Sequence, residues 1–253
     1  MKKYLRYVCV FLAFALLLPL TGCGSSSDDN HYTIATDTTF APFEFEDKDG
    51  NRVGIDVELL DAIAKDQGFT YDLQALGFDA AVSALESGQV DGVIAGMSIT
   101  DERKEKFDFS EPYFDSGIMC AVRSDSDITS YDQLAGQNVA VKTGTEGARY
   151  AESIKDQYGF TITQFQDSAN MYEEVKGGNS VACFEDYPVL GYAISQGQPL
   201  KMIGDLQAGN SYGFAVKKDD AKGAVLLEAF NKGLEDVKAD GTYQKILDEY
   251  IKK

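Results

Sequence analysis

The chain has 253 residues, 44% hydrophobic and 25% charged, enough for one large or two small domains with proper cores and not the composition of a disordered chain. A formal net charge of −18 at pH 7 makes nucleic acid and anionic lipid poor partners. One histidine, His31, leaves no room for histidine-based catalysis or histidine-rich metal ligation, so no catalytic residue, metal or cofactor is expected.

The first predicted element is an export signal. Basic residues Lys2, Lys3 and Arg6 precede an apolar run from Tyr7 to Leu20, too short and too one-sided in its flanks for a membrane span. Leu20-Thr21-Gly22-Cys23 resembles the lipobox of bacterial lipoproteins, in which the cysteine is lipidated and becomes the first mature residue. Residues 1–22 are therefore read as signal peptide, Cys23 as the lipidation site, and residues 23–31, with Gly24-Ser-Ser-Ser-Asp-Asp29, as a linker. Loss of residues 1–22 removes three cations and no acid, which lowers the net charge from −18 to −21. The expected place of work is outside the cytoplasm, tethered to the outer face of the membrane by acyl chains. Cys9 leaves with the signal, and Cys120 and Cys183 sit in apolar, strand-like surroundings that read as buried free thiols.

From Tyr32 onward, strand-length apolar runs alternate with helical patterns, which predicts α/β architecture with mostly parallel sheets flanked by helices. Tyr32 to Thr36 reads as a strand, and Asp56 to Lys65 as a helix ended by Gly68, with Val57, Leu60, Ile63 and Ala64 on its core face. Strand Phe69 to Leu73, helix Asp79 to Leu85 and strand Val90 to Met97 follow. A second series runs through strand Ile118 to Val122, short helix Ser130 to Leu134, strand Asn138 to Val141, helix Glu146 to Tyr158 and strand Phe160 to Phe165. It continues with helix Ala169 to Val175, strand Val181 to Phe184, helix Pro188 to Ile194 and strand Lys201 to Ile203. After Tyr212-Gly-Phe-Ala-Val216 come two last helices, Ala221 to Lys238 and Tyr243 to Ile251. No long linker or short repeat interrupts this part, so the expected picture is two compact lobes in contact, in a monomer.

One stretch carries chemistry on its face. Ala95 to Lys104 leads from a strand into a helix start, with Ser98 and Thr100 suited to capping, Asp101 and Glu102 suited to a first turn, and Arg103 within that turn. Free backbone N–H groups, a positive helix end and a guanidinium fork would meet at one spot, which fits a small carboxylate. An ordinary capped helix with Arg103 paired to Glu102 or Glu105 is the structural alternative.

Taken together, Ala35 to Phe45, Gly54 to Leu59, Gly96 to Arg103, Asp108 to Tyr113, Val139 to Thr145 and Glu185-Asp186 resemble, in order, the extracytoplasmic solute-binding proteins of polar amino acid ABC transporters, the family that includes the glutamine-binding protein. The resemblance spans Tyr32 to Ile251. It implies a two-lobed periplasmic-binding-protein fold of type II, with residues 32–114 plus 212–253 as lobe one, residues 115–211 as lobe two, and crossings near Tyr113 to Gly117 and Ala208 to Tyr212. It also implies an amino acid ligand and permease subunits as partners. Arg103, the Ser98 N–H and the loop Thr143-Gly144-Thr145-Glu146 would hold the ligand carboxylate. Asp186, the Gly96 carbonyl and the Ser98 hydroxyl would hold the ammonium, and Phe40 and Phe78 would sandwich the apolar stem. Asp37 and Lys142 fall at the far end, where an acceptor facing a donor suits a neutral amide, so glutamine is the first expectation. Two residues depart from the pattern: Glu185 stands where the glutamine-binding protein carries a histidine, and Glu146 replaces a small residue. They keep arginine, asparagine and histidine in view.

An enzyme is the rival class, because some relatives of this fold are extracytoplasmic dehydratases and Glu185 in a closed apolar cleft has the makings of a general acid. Lys142-Thr143-Gly144 mimics a serine β-lactamase box, but no Ser-x-x-Lys occurs in the chain. A sensory ectodomain would need a spanning segment and a signalling module, neither of which is read here.

Overall fold

The structure, a computed structural model, describes residues 30–251, so the signal peptide, Cys23 and the linker up to Asp29 lie outside the described residues. His31 does not: it opens strand β1 (His31–Thr36) opposite Thr70, and its ring lies 2.8 Å from the Thr70 hydroxyl. The linker thus ends before His31, and the sheet starts one residue earlier than the apolar run.

The first lobe is built on a five-stranded sheet. Its strands are β1, β4 (Thr70–Ala75), β5 (Gly92–Val93), β6 (Phe107–Phe109) and β12 (Ala215–Lys217), in the order β4-β1-β5-β12-β6. A hairpin of β2 (Phe45–Glu46) and β3 (Arg52–Val53) precedes helix α1 (Ile55–Gln67), which stops where Gly68 takes a left-handed conformation. The face α1 buries is Ile55, Asp56, Leu59, Leu60, Ile63 and Ala64, so Leu59 takes the core place expected of Val57. Helix α2 (Phe78–Ser87) and the one-turn α3 (Asp101–Lys104) complete the lobe's first pass, and the long α7 (Ala221–Ala239) and α8 (Thr242–Tyr250) pack back against α1.

The second lobe carries β7 (Phe114–Arg123), β8 (Asn138–Lys142), β9 (Thr161–Phe165), β10 (Ala182–Asp186) and β11 (Leu200–Tyr212), in the order β11-β7-β10-β8-β9. Helices α4 (Glu146–Tyr158), α5 (Ser168–Lys176) and α6 (Tyr187–Ser195) flank this sheet. The short helix expected from Ser130 is a 3-10 turn at Tyr131–Leu134, closed by a capping box between Ser130 and Gln133.

Both sheets are mixed rather than mostly parallel. β1 runs parallel to β4 and β5, and β8 parallel to β9 and β10, but β12 is antiparallel to β5 and β6, and β7 to β10 and β11. The antiparallel strands adjoin the two segments read as crossings, and those segments pair with each other: Phe114 lies opposite Tyr212, and Ser116 opposite Asn210. A chain that leaves one sheet and returns beside its own exit must run backwards, which explains the mixture. Cys120 and Cys183 are free and buried on adjacent strands, packed into different apolar clusters. Among the described residues no helix is long and apolar enough to cross a membrane.

A polar inset sits inside the first lobe's core. Glu44, Asp56 and Tyr113 are all buried; the Asp56 carboxylate accepts the Gly96 N–H at 2.7 Å and the Tyr113 hydroxyl at 2.8 Å. Two facing carboxylates have no proton to share unless one is neutral. Burial, with Asp56 and Asp37 nearby, holds the Glu44 pKa well above the usual carboxylate value, and burial raises that of Asp56 to about 6. The folded state therefore keeps the Glu44 proton to higher pH than the unfolded chain, and stability falls as pH rises above about 4.5. Glu44→Gln keeps a donor without a titrating proton. We expect it to flatten that decline, seen as a smaller drop in thermal midpoint between pH 5 and pH 8 than in the parent.

Candidate functional site

The strand expected from Val90 to Met97 pairs only at Gly92–Val93, because the backbone then turns out of the sheet, with Gly96 at φ +52. A β-carbon at Gly96 would lie 2.3 Å from the Phe40 ring, so only glycine lets that ring close over the turn. Asp56 grips the Gly96 N–H from below, which fixes the turn from the core side. The helix that follows is capped by Thr100, whose hydroxyl accepts the Arg103 N–H at 3.2 Å. Ser98 is left free of capping: it bridges to Tyr212 and accepts from Asn210 Nδ2 at 3.0 Å.

Around this turn both lobes line one small cavity. The first lobe contributes Phe40, Phe78, Ala95, Gly96, Ser98 and Arg103, and the second Lys142, Thr145, Glu146, Glu185 and Asp186. Ten of the twelve residues expected at the site line it, and Ala95 is an addition. Asp37 lies just behind the wall, joined to Lys142, while Thr143 points elsewhere: its hydroxyl and N–H both donate to the Phe165 carbonyl, at 3.1 and 2.9 Å. Parallel pairing of β8 with β9 takes up that residue, so the loop offers the cavity Thr145 and Glu146 only.

The two ends of the cavity differ in chemistry. At one end Arg103 donates to the Ser98 carbonyl at 2.8 Å and across the cleft to the Gly144 carbonyl at 3.1 Å, with its guanidinium 5.2 Å from the centre of the Phe78 ring. Two carbonyls and a ring hold the fork open toward the cavity, opposite the start of α4. Thr145 caps that helix by accepting the Ala148 N–H at 3.2 Å, and Glu146 is tied back to Arg149 Nε at 3.0 Å. Desolvation pulls the Arg103 pKa below its ordinary value, opposed by Glu146 and Asp186. Asp186, at the head of α6, accepts the Tyr212 hydroxyl at 2.5 Å, and Tyr212 in turn accepts from Ser116 at 3.0 Å. Burial and the neighbouring Glu185 push Asp186 up to about 7. A cation delivered there would restore its charge.

At the other end Lys142, fully buried at 1% exposure, forms an ion pair with Asp37, at 0%, and sits 4.7 Å above the Phe40 ring. It also reaches Ser168 Oγ at 3.4 Å, and Ser168 donates to Glu185 at 2.7 Å. Burial works against the Lys142 charge, but Asp37 and Glu185 outweigh it and hold the pKa above the usual value. Ser168 carries no motif and is read in the sequence only as the approach to a helix; its place follows from Asp167 capping α5, which turns the next side chain inward. Among the described residues no group of three or more His, Cys, Asp or Glu is placed to hold a metal ion.

Comparison with known proteins finds the model of the bacterial extracellular solute-binding proteins, family 3, matching residues 32–253. The arginine-binding extracellular protein ArtP of Bacillus subtilis is 32% identical over 97% of this chain and 96% of its own. An ancestral arginine-binding protein solved with glutamine superposes with a TM-score of 0.81 at 36% identity, covering 88% of this chain and 99% of its own, and an ancestral arginine-binding protein solved with arginine matches with the same TM-score and identity. The second substrate-binding domain of Lactococcus lactis GlnP in an open conformation is more similar in sequence, 43% over 88% of this chain and 96% of its own, yet its TM-score is 0.61. Arg103 bonded to Gly144 and Lys142 paired with Asp37 across the cleft agree with that contrast, because both contacts need the lobes together.

Proposed function

We propose that this chain, which belongs to the bacterial extracellular solute-binding proteins, family 3, captures a polar amino acid between its lobes outside the cell membrane and hands it to an ABC-type permease. The observation that carries this is the pairing of Arg103 from one lobe with Asp186 from the other on a single small cavity. Arg103, the Ser98 N–H and the first N–H groups of α4 take the carboxylate; Asp186, the Gly96 carbonyl and the Ser98 hydroxyl take the ammonium. Each ligand end then bonds to groups of both lobes, which gives the closed state its differential affinity. Phe40 and Phe78 cover the stem. The lipid anchor at Cys23 keeps the receptor near its permease, as a monomer.

Glutamine is the ligand we favour. Its amide nitrogen donates to Asp37 and its oxygen accepts from Lys142, so the amide replaces their direct pairing with two bonds of matching sense. A cationic side chain is the second reading, carried by Glu185: with Asp37 it gives Lys142 two acidic neighbours in a closed pocket. A dehydratase role for Glu185 is the weaker alternative, since Arg103 and Asp186 on the same cavity already suit the two ends of an amino acid. Titration calorimetry against the twenty amino acids tests the proposal. Glutamine should bind at micromolar Kd or tighter, about −8 kcal/mol; no heat from any amino acid would remove it.

A further inference from the structure

Counting charge in the closed cleft leads beyond the choice of ligand. Three buried carboxyl groups, Asp37, Glu185 and Asp186, share the site with two cations, Lys142 and Arg103. Glu146 is cancelled by Arg149, while Glu44 and Asp56, both with pKa raised by burial, lie in the core behind the wall and bring no positive charge to the count. An amino acid brings an ammonium and a carboxylate and leaves the count one negative in excess. A neutral amide side chain does not alter that; a guanidinium cancels it. In a cavity with little water an uncompensated carboxylate takes a proton rather than stay charged.

The contacts single out which acid takes it. Asp186 faces the ammonium and already accepts the Tyr212 hydroxyl, and Asp37 pairs directly with Lys142. Glu185 reaches Lys142 only through Ser168, its other contact being the Asp186 N–H at 3.1 Å. Of the remaining groups facing it, Tyr172 on α5 and Cys183 on its own strand are held neutral by burial and offer no counter-charge. Ser168 suits both states of Glu185, since a hydroxyl donates to a carboxylate and accepts from a carboxylic acid after one rotation.

The geometry points to Glu185, held by Ser168, as the residue that sets the side-chain charge the cleft accepts: it keeps a proton over a neutral amide and gives it up over a cationic side chain. This rests on the cavity being the amino acid site, and on no choice between glutamine and arginine. The two complexes then differ by one proton, and because the free protein is common to both titrations its own protonation cancels. Raising the pH by one unit should move the ratio of affinities about tenfold toward arginine, across the range where Glu185 is protonated in one complex and ionised in the other.

The experiment is calorimetry of the full chain with glutamine and with arginine at pH 5.5 to 8.5, the weaker ligand measured by displacement, each in two buffers of different ionisation enthalpy. Glutamine should take up nearly one proton more than arginine. In Glu185→Gln the difference should vanish and the ratio should stop moving with pH, fixed on the glutamine side. Equal proton numbers in the parent, a difference that survives Glu185→Gln, or a cleft that takes only one of the two at every pH would each overturn the inference while leaving the receptor standing. Failure of every amino acid to bind would overturn both. The parent protein alone gives the proton count, so a variant that did not fold would not decide the outcome.

Discussion

Arg103→Ala is expected to abolish useful affinity for every amino acid, whatever its side chain. Among the described residues lining the cavity, the guanidinium is the one cation at the carboxylate end, its fork is pre-set by the Ser98 and Gly144 carbonyls, and the neighbouring Arg149 is engaged by Glu146. Truncating one partner of a buried, hydrogen-bonded charge pair costs about 2–5 kcal/mol, and for the half-buried Arg103 the lower part of that range applies, roughly 10²-fold in Kd. The protein should still fold, because α3 is a single turn with no buried residue and the cavity wall behind it is backbone held by Asp56. Calorimetry should therefore show lost heat for all ligands with a thermal midpoint close to the parent's. Arg103→Lys should recover only part, since an ammonium supplies charge but not a planar fork. Unchanged affinity in Arg103→Ala would mean that the ligand lies elsewhere.

Lys142→Leu should change which ligand binds rather than whether one does. Removing the ammonium leaves Asp37 and Glu185 facing a closed cavity with no cation between them, both essentially without solvent. Glutamine loses the donor for its amide oxygen and closes over two carboxylates, so its Kd should weaken by about 10²-fold or more. Arginine brings its own cation into the gap that Lys142 leaves, and its affinity should rise relative to glutamine by a comparable factor. Side-by-side titrations of parent and variant decide it. A ranking unmoved by the substitution would show that the far end of the cavity does not read the side chain.

Alternation of strands and helices and the two lobes are visible in the sequence because they rest on local signals, periodicity and glycine stops, while most of the cavity wall comes from the family resemblance. What hides is whatever depends on the two lobes meeting. Ser168 looks like any residue after a helix cap, and only the packing of α5 beside β10 turns it toward Glu185. Tyr212 reads as one more apolar strand residue, yet its hydroxyl joins Asp186 to Ser116. Glu44, flanked by Phe43 and Phe45, alternates like a solvent-facing acid, and its burial shows only once Asp56 is placed against it. Thr143 errs the other way: the motif around it is real, but pairing to β9 uses it for the sheet. The resemblance placed residues on the wall, and the packing decided which side chains face inward.

The cavity takes its walls from both lobes. Departure waits for the lobes to part, an event on the microsecond-to-second scale of hinge motions. Ligands that enter at similar rates are then told apart by how long each keeps the door shut, and affinity becomes a clock. A permease that engages only the shut form would be reading elapsed time: a briefly held amino acid would be gone before docking, and a well-matched one still in place.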